Sequence, residues 1–340
     1  MTRSETKKLR GVRPRTLVAV MALVLVIAAI VMIVWLLKPQ EGVELVGFSR
    51  ESTATVSYAG AFPAEGEQVL LNPLGITVRG TTIYVAESDA GRIRVFGLNG
   101  QDAGSIALPV ADGAPTAYPS DIATLGADRL VVVDNSGSRV VIMDTERRSG
   151  QGAVTVLGES DPKTAPIQPT AVAVDRETIY VADGTGANIK AYSSDGVYQR
   201  TVVQSVGGST ILAGGLIVSD GKLYATDSNA GRVSIFDARD GSTKGLFPDA
   251  FALPRGLGSG LAGGLLVVDT FERTIRLTDR VGKRIDAIDG NVSGDGSLGS
   301  PRGVVWVPSS SRAYVTDAAS GRVVIFNMRR STENGLRYPE

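Results

Sequence analysis

The chain has neither cysteine nor histidine in its 340 residues. Without cysteine there is no disulfide framework and no thiolate metal site, so the fold must be held by its own core. Without histidine the commonest general base, the imidazole metal ligand and the usual pH switch are all missing, which weighs against enzymatic function. Aromatic residues are sparse at 6%, and apolar side chains reach 43% beside 41 glycines. That balance suits many short strands and tight turns rather than long helices.

A predominantly apolar run of twenty-two residues without a charge extends from Thr16 to Leu37. At about 1.5 Å rise per residue it spans a hydrocarbon core of roughly 30 Å, so a transmembrane helix is expected there. Arg3, Lys7, Lys8, Arg10, Arg13 and Arg15 precede it against the single acid Glu5. The positive-inside bias therefore places residues 1–15 in the cytoplasm and everything after Lys38 outside. A cleaved signal peptide is the alternative, but its apolar core would be about 7–15 residues and no small-x-small site follows Trp35. The expectation is a single-pass cell-membrane protein, with membrane lipid as a partner through residues 16–37 and a linker over 38–51. The formal net charge is zero, yet removing the seven basic residues up to Lys38 and Glu5 leaves 28 basic and 34 acidic side chains, a net of −6. Nucleic acid is not an expected partner.

Six times the chain runs through an apolar strand, an acidic residue, a Gly/Ser/Asn turn and a second strand, as in IYVAESDAGRIRVF at 83–96 and LYATDSNAGRVSIF at 223–236. The acids are Glu87, Asp134, Asp183, Asp227, Asp269 and Asp317, spaced by 47, 49, 44, 42 and 48 residues. Such spacing fits one four-stranded propeller blade per repeat. Upstream of each acid lies an opening strand, begun by proline in five cases and by Ala213 in the fourth. Proline has no N–H to leave unpaired at a strand start. Two residues after each opening stand Gly75, Asp121, Ala171, Gly215, Gly256 and Gly303. Such small residues let six inner strands converge on a narrow axis. The fold class is therefore all-β, a six-bladed β-propeller with one N-terminal transmembrane helix.

The pattern P-x-G-[IV]-x-[VA], then [IL]-Y-V-x-D, then R-[IV]-x-[VI]-F resembles the NHL repeat over about residues 56–328, and SGDGSLGSPRGV at 293–304 looks like that family's inter-blade loop. The resemblance implies an extracytoplasmic sensor or binding domain on a single membrane helix. It also implies an arginine five residues after each acid. Glu87 with Arg92, Asp134 with Arg139, Asp227 with Arg232 and Asp317 with Arg322 match; Asn188 and Thr274 replace it in blades three and five, where weaker seams or altered surface are expected. Capping of the turn by the acid explains its recurrence without chemistry. The last repeat ends near Phe326 without a fourth strand, and the alternating segment Ser52–Tyr58 is expected to supply it and close the ring. The propeller is placed at 52–328 and a polar tail at 329–340. Asn291-Val292-Ser293 forms a glycosylation sequon within the linker.

Lyase relatives built on similar propellers depend on histidine-bound zinc, which this chain cannot supply. No cofactor is expected; calcium, which needs only oxygen ligands, is the one the composition permits, through Asp121 and carbonyl groups at the channel mouth. Following the opening residues come Leu74, Ser120, Thr170, Gly214, Arg255 and Arg302. Arg255 and Arg302 thus place two guanidiniums at the mouth, either to grip an anion or to pair with Asp121 or local carbonyls. Phe62, Tyr118, Phe247, Phe251 and Phe271 read as exposed aromatics on the same face. Phe247 and Phe251 serve equally as seam plugs, and aromatic and arginine anchors are what protein interfaces favour. A membrane-anchored extracytoplasmic binding or scaffold protein, engaging a cell-envelope protein or a ligand through this loop-rich face without turnover, is the functional expectation. A divalent-metal-dependent hydrolase or lactonase at the channel mouth is the alternative.

Overall fold

The computed structural model describes residues 54–145, 154–204 and 213–330. The expected membrane segment, residues 16–37, lies outside the described residues. Among the described residues no helix is long and apolar enough to cross a membrane.

Among the described residues twenty-four strands form six antiparallel four-stranded sheets. Blade one is β2 (Pro73–Arg79), β3 (Thr82–Glu87), β4 (Arg92–Gly97) and β5 (Asp102–Ala107). Blade two is β6 (Pro119–Leu125), β7 (Arg129–Asp134), β8 (Arg139–Asp144) and β9 (Thr155–Val156). Blade three comprises β10 (Pro169–Asp175), β11 (Thr178–Asp183), β12 (Asn188–Ser193) and β13 (Tyr198–Val203). Blade four comprises β14 (Ala213–Ser219), β15 (Lys222–Asp227), β16 (Arg232–Asp237) and β17 (Thr243–Leu246). In blade five are β18 (Pro254–Ser259), β19 (Leu265–Asp269), β20 (Thr274–Thr278) and β21 (Arg284–Asp289). Blade six takes β22 (Pro301–Val307), β23 (Arg312–Asp317) and β24 (Arg322–Arg330) from the end of the chain and β1 (Ala54–Phe62) from its beginning. The architecture is a six-bladed β-propeller.

The closing strand is longer than the sequence pattern suggests, because β1 continues past Tyr58 to Phe62 and β24 runs to Arg330. Its register breaks between Tyr58 and Gly60, and Gly60 takes a φ of 130° that favours glycine. One extra residue reverses the side-chain alternation. Before the bulge Val56 packs into the seam between blades five and six; after it Phe62 packs into the seam between blades six and one. There Phe62 meets the Phe96 ring at 4.7 Å and Tyr314 at 6.5 Å.

The core is divided among six clusters, one per seam between neighbouring blades. In β7, Leu130 and Val132 face blade one while Val131 and Val133 face blade three. Middle strands are covered on both sides, which is why they read as continuous apolar runs. The seam between blades four and five is the smallest of the six clusters, and Phe247 and Phe251 complete it. Phe247 meets Tyr224 edge-on at 5.8 Å, and Phe251 lies under the Arg276 guanidinium at 4.5 Å. Of the two readings offered by the sequence for this pair, the seam plug is the one that the packing supports. Phe62 is likewise buried, so it is not the exposed aromatic that the loop sequence suggested.

All six strand-end acids are buried. Five of them accept backbone N–H bonds from the segment entering their own blade: Leu71 to Glu87, Tyr118 to Asp134, Ile167 and Gln168 to Asp183, Ala252 and Leu253 to Asp269, Gly299 and Ser300 to Asp317. Asp227 accepts from the Ala230 N–H in the turn that follows it. Arg92, Arg139 and Arg232 pair with Glu87, Asp134 and Asp227 at 2.6, 3.0 and 3.3 Å. Blades three and five, expected to be weaker, recover the cation two residues later. Lys190 lies 3.1 Å from Asp183 and Arg276 lies 3.7 Å from Asp269. On β12 and β20 that step returns to the same face of the sheet, so a longer side chain reaches the same carboxylate. In blade six Asp317 relies on backbone donors, and no ion pair with Arg322 forms among the described residues. These acids serve the scaffold.

Candidate functional site at the channel mouth

The inner strands β2, β6, β10, β14, β18 and β22 all begin at one end of the ring. Each opening residue pairs with the strand-end acid of its own blade, as Pro254 does with Asp269. The turns after the acids therefore share that end with the inter-blade connections. Crowding at the axis is severe. A Cβ on Gly303 would stand 2.7 Å from the Leu74 carbonyl oxygen, and one on Gly75 2.8 Å from the Asp121 Cα. At Gly215 and Gly256 it would run into the carbonyls of Arg255 and Arg302. Hydroxyls lace the same ring: Ser228 donates to the Pro254 carbonyl at 2.7 Å, Thr270 to Pro301 at 2.7 Å and Thr316 to Leu74 at 2.5 Å.

Where the inner strands begin, they surround a cavity of about 310 Å³. Leu74, Ser120, Thr170, Gly214, Arg255 and Arg302 all line it, as does Asp121. On the side of blades four, five, six and one the cavity reaches down to Leu216, Leu257, Val304 and Ile76. Hydroxyl and amide groups gather towards blades two and three, in Ser120, Asn135, Gln168 and Thr170. The walls are thus unlike: two cations over an apolar floor on one side, neutral polar groups with one acid on the other.

Arg255 and Arg302 are the only cationic side chains among the lining residues, and both are partly buried. Neither is paired with Asp121 or held by a local carbonyl among the described residues, and the Nε of each is buried without a hydrogen-bond partner. Burial, and then the neighbouring Arg302 charge, hold the Arg255 guanidinium below its ordinary range. A buried donor without a partner costs about 1–3 kcal/mol, more for a charged group. Two such donors side by side, repelling each other, form an arrangement that a bound anion would relieve.

Asp121 is committed elsewhere. Its Oδ1 accepts from the Ile122 N–H and its Oδ2 from the Val172 N–H, both at 2.9 Å, the second across the seam into blade three. Burial outweighs these two bonds and pushes its carboxyl up to about 7. The unfolded chain releases this proton near the ordinary carboxylate value, the folded chain only near 7. Between those values the unfolded form binds fewer protons, so this group's contribution makes stability fall as pH rises through that window. The displacement corresponds to about 4 kcal/mol at most, less for a carboxyl that water partly reaches. In Asp121→Asn the decline in melting temperature between about pH 4 and 7 should be shallower than in the wild type. Parallel melting curves for the two proteins across that range would contradict this.

Tyr118 and Phe271 lie outside the cavity lining. Tyr118 is half-buried at the entry to blade two, its hydroxyl accepting from the Asn72 side-chain amide at 2.9 Å. Phe271, in the turn after Asp269, is 75% exposed and stands on the mouth face. Phe247 and Phe251, at 5% and 6% exposure, are removed from that surface. Asn135, Gln168 and Ser228 escaped the sequence reading although they line the cavity. Their signal was positional: Asn135 and Ser228 follow strand-end acids, and Gln168 precedes an opening proline.

No protein-family model and no curated protein matches the chain. Solved structures do. A structural-genomics protein of unknown function from Bacteroides thetaiotaomicron superposes with a TM-score of 0.63 at 16% identity, over 82% of this chain and 76% of that one. Virginiamycin B lyase from Staphylococcus aureus follows with a TM-score of 0.57 at 13% identity, over 81% and 99%. A nidogen/laminin complex gives 0.52 at 17%, over 63% of this chain and 79% of that one. At such identities the likeness establishes the fold, and this chain is similar to these proteins as a six-bladed β-propeller.

Proposed function

We propose that this chain is an NHL-type propeller, anchored in the cell membrane through residues 16–37, whose extracytoplasmic ring binds a ligand or an envelope protein through its mouth face without turnover. The observation that carries the reading is the pair of unpartnered guanidiniums, Arg255 and Arg302, at the mouth of the axial cavity. Phe271, exposed on the same face, adds an aromatic of the kind that anchors interfaces. In vivo cross-linking of the full chain, followed by mass spectrometry, tests it. Phe271→Ser and Arg302→Ala should each reduce recovery of the cross-linked partner at least tenfold while leaving the melting temperature unchanged or higher. Normal recovery in both variants would remove the mouth face from the interaction.

The hydrolase or lactonase reading has less support. Asp121 is the one carboxylate lining the cavity, and both its oxygens already accept backbone N–H bonds, so the donor set does not fit a divalent cation. Among the described residues no group of three or more acidic side chains converges as a cation site. A neighbouring structure is of a histidine-to-alanine variant of virginiamycin B lyase described as catalytically inactive. This chain has no histidine to offer for such a role.

A further inference from the structure

The geometry points to a ligand class for the mouth, resting on the reading that this face binds: a small organic anion whose carboxylate or phosphate is gripped jointly by Arg255 and Arg302 and whose body lies in the axial cavity. Three features carry this. The first is the pairing of the arginines with each other rather than with an acid. They occupy the same position on the adjacent strands β18 and β22, and Asp121, the nearest candidate counter-charge in the lining, is held by Ile122 and Val172 instead. Planar guanidiniums side by side offer several N–H donors to one oxyanion, a geometry suited to carboxylate or phosphate.

The second feature is size. A cavity of about 310 Å³ stands at the lower end of the range for small-molecule sites, enough for a metabolite-sized molecule and too small for a folded element of a partner. Backbone at Gly214, Gly215, Gly256 and Gly303 forms much of the wall beside the arginines, because the inner strands pack too closely there for any side chain. The third feature is the unlike walls. Beneath the cations lie Leu216, Leu257 and Val304; across the axis stand Ser120, Asn135, Gln168 and Thr170. A molecule with an anionic head, a short apolar stretch and a hydroxyl- or amide-bearing end matches this lining, whereas a bare inorganic ion would leave the polar wall unused.

Titration of the purified full chain in chloride-free, low-salt buffer tests the assignment. The probes are inorganic phosphate, glutarate and the neutral glutaramide, followed by calorimetry and by melting temperature, in the wild type and in Arg255→Gln/Arg302→Gln. Glutarate, phosphate or both should bind saturably and raise the melting temperature, with glutaramide inert, and affinity should fall at least tenfold in the double variant, as expected for loss of charge-assisted bonds. Response to glutarate alone makes the natural head group a carboxylate, and response to phosphate alone makes it a phosphate. Without any probe the double variant should melt no lower than the wild type, because it removes two partly buried, mutually repelling charges. A double variant that melts lower or does not fold makes these arginines part of the scaffold and overturns the assignment. So does binding of neither anion, or equal binding in both proteins. Anion binding that fails while cross-linking through Phe271 persists would refute the ligand class alone and leave the mouth-face reading standing.

Discussion

Chains that begin at Pro63 rather than at Ser52 should lose cooperative melting, or melt at least about 15 °C lower. The shorter chain lacks β1, whose eight paired positions with β24 form the outer edge of blade six. Its absence leaves a nine-residue edge strand unpaired, Arg322–Arg330, with nothing to shield it from association. It also empties the Phe62 site in the seam between blades six and one. Burial of a phenylalanine alone accounts for about 3–5 kcal/mol, and each kcal/mol moves the melting point of a domain this size by roughly 2–4 °C. Phe62→Ala in the full chain isolates that part and should lower melting by about 10 °C. Circular dichroism or differential scanning calorimetry measures both. Equal melting of the two truncations would mean that the ring closes without its N-terminal strand.

Lys190→Ala and Arg276→Ala should each lower stability by about 3–5 kcal/mol, whereas Asn188→Ala and Arg273→Ala should stay within about 1 kcal/mol. The first two remove the cations that reach Asp183 and Asp269; Asn188 stands where the repeat pattern would have placed the cation of blade three, and Arg273 is the arginine one step before the corresponding position, Thr274, in blade five. Lys190 also donates to the Ala165 carbonyl at 2.9 Å, tying β12 to the connection from blade two. For Asp183, burial is the largest single influence and raises its pKa. The N–H bonds from Ile167 and Gln168 and the contact with Lys190 together outweigh it and hold the carboxyl below its ordinary value. Its contribution is therefore present above the unfolded carboxylate value and is lost as pH falls through the lower, folded one. Urea denaturation at pH 7 gives the four stability differences. A costly Asn188→Ala beside a harmless Lys190→Ala would show that the repeat pattern, not the observed pair, governs this seam.

The comparison between these positions shows what was legible beforehand. Blade number and strand order followed from the spacing of six acids, because each blade must repeat the same hairpin geometry. Converging inner strands followed from Gly75, Gly215, Gly256 and Gly303, since only glycine permits the observed backbone approach. Lys190 and Arg276 were missed because side-chain reach, not motif position, decides which cation meets a buried acid. The GLFPDAFALP segment, 245–254, was ambiguous for a related reason: loop aromatics and seam aromatics have the same local sequence, and only the thin core between blades four and five draws Phe247 and Phe251 inward. The residues that follow each opening line the cavity because the six inner strands begin at the same end of the ring. Whether Asp121 neutralised the arginines could not be read from the sequence, because it depends on two backbone N–H groups, one of them contributed by the next blade.

Blade six is assembled from both ends of the chain, with β1 and β24 about 260 residues apart in sequence. During synthesis the first strand leaves the ribosome long before its mate exists, and at about 5–20 residues per second that interval lasts tens of seconds or less. Five blades can form from local hairpins in that time, while Phe62 and the open flank of β1 await residues 322–330. The slow step of maturation is then a long-range encounter rather than the folding of any single sheet. In the cell, chaperones would be needed most in that interval, and a stalled chain would display a sticky N-terminal strand.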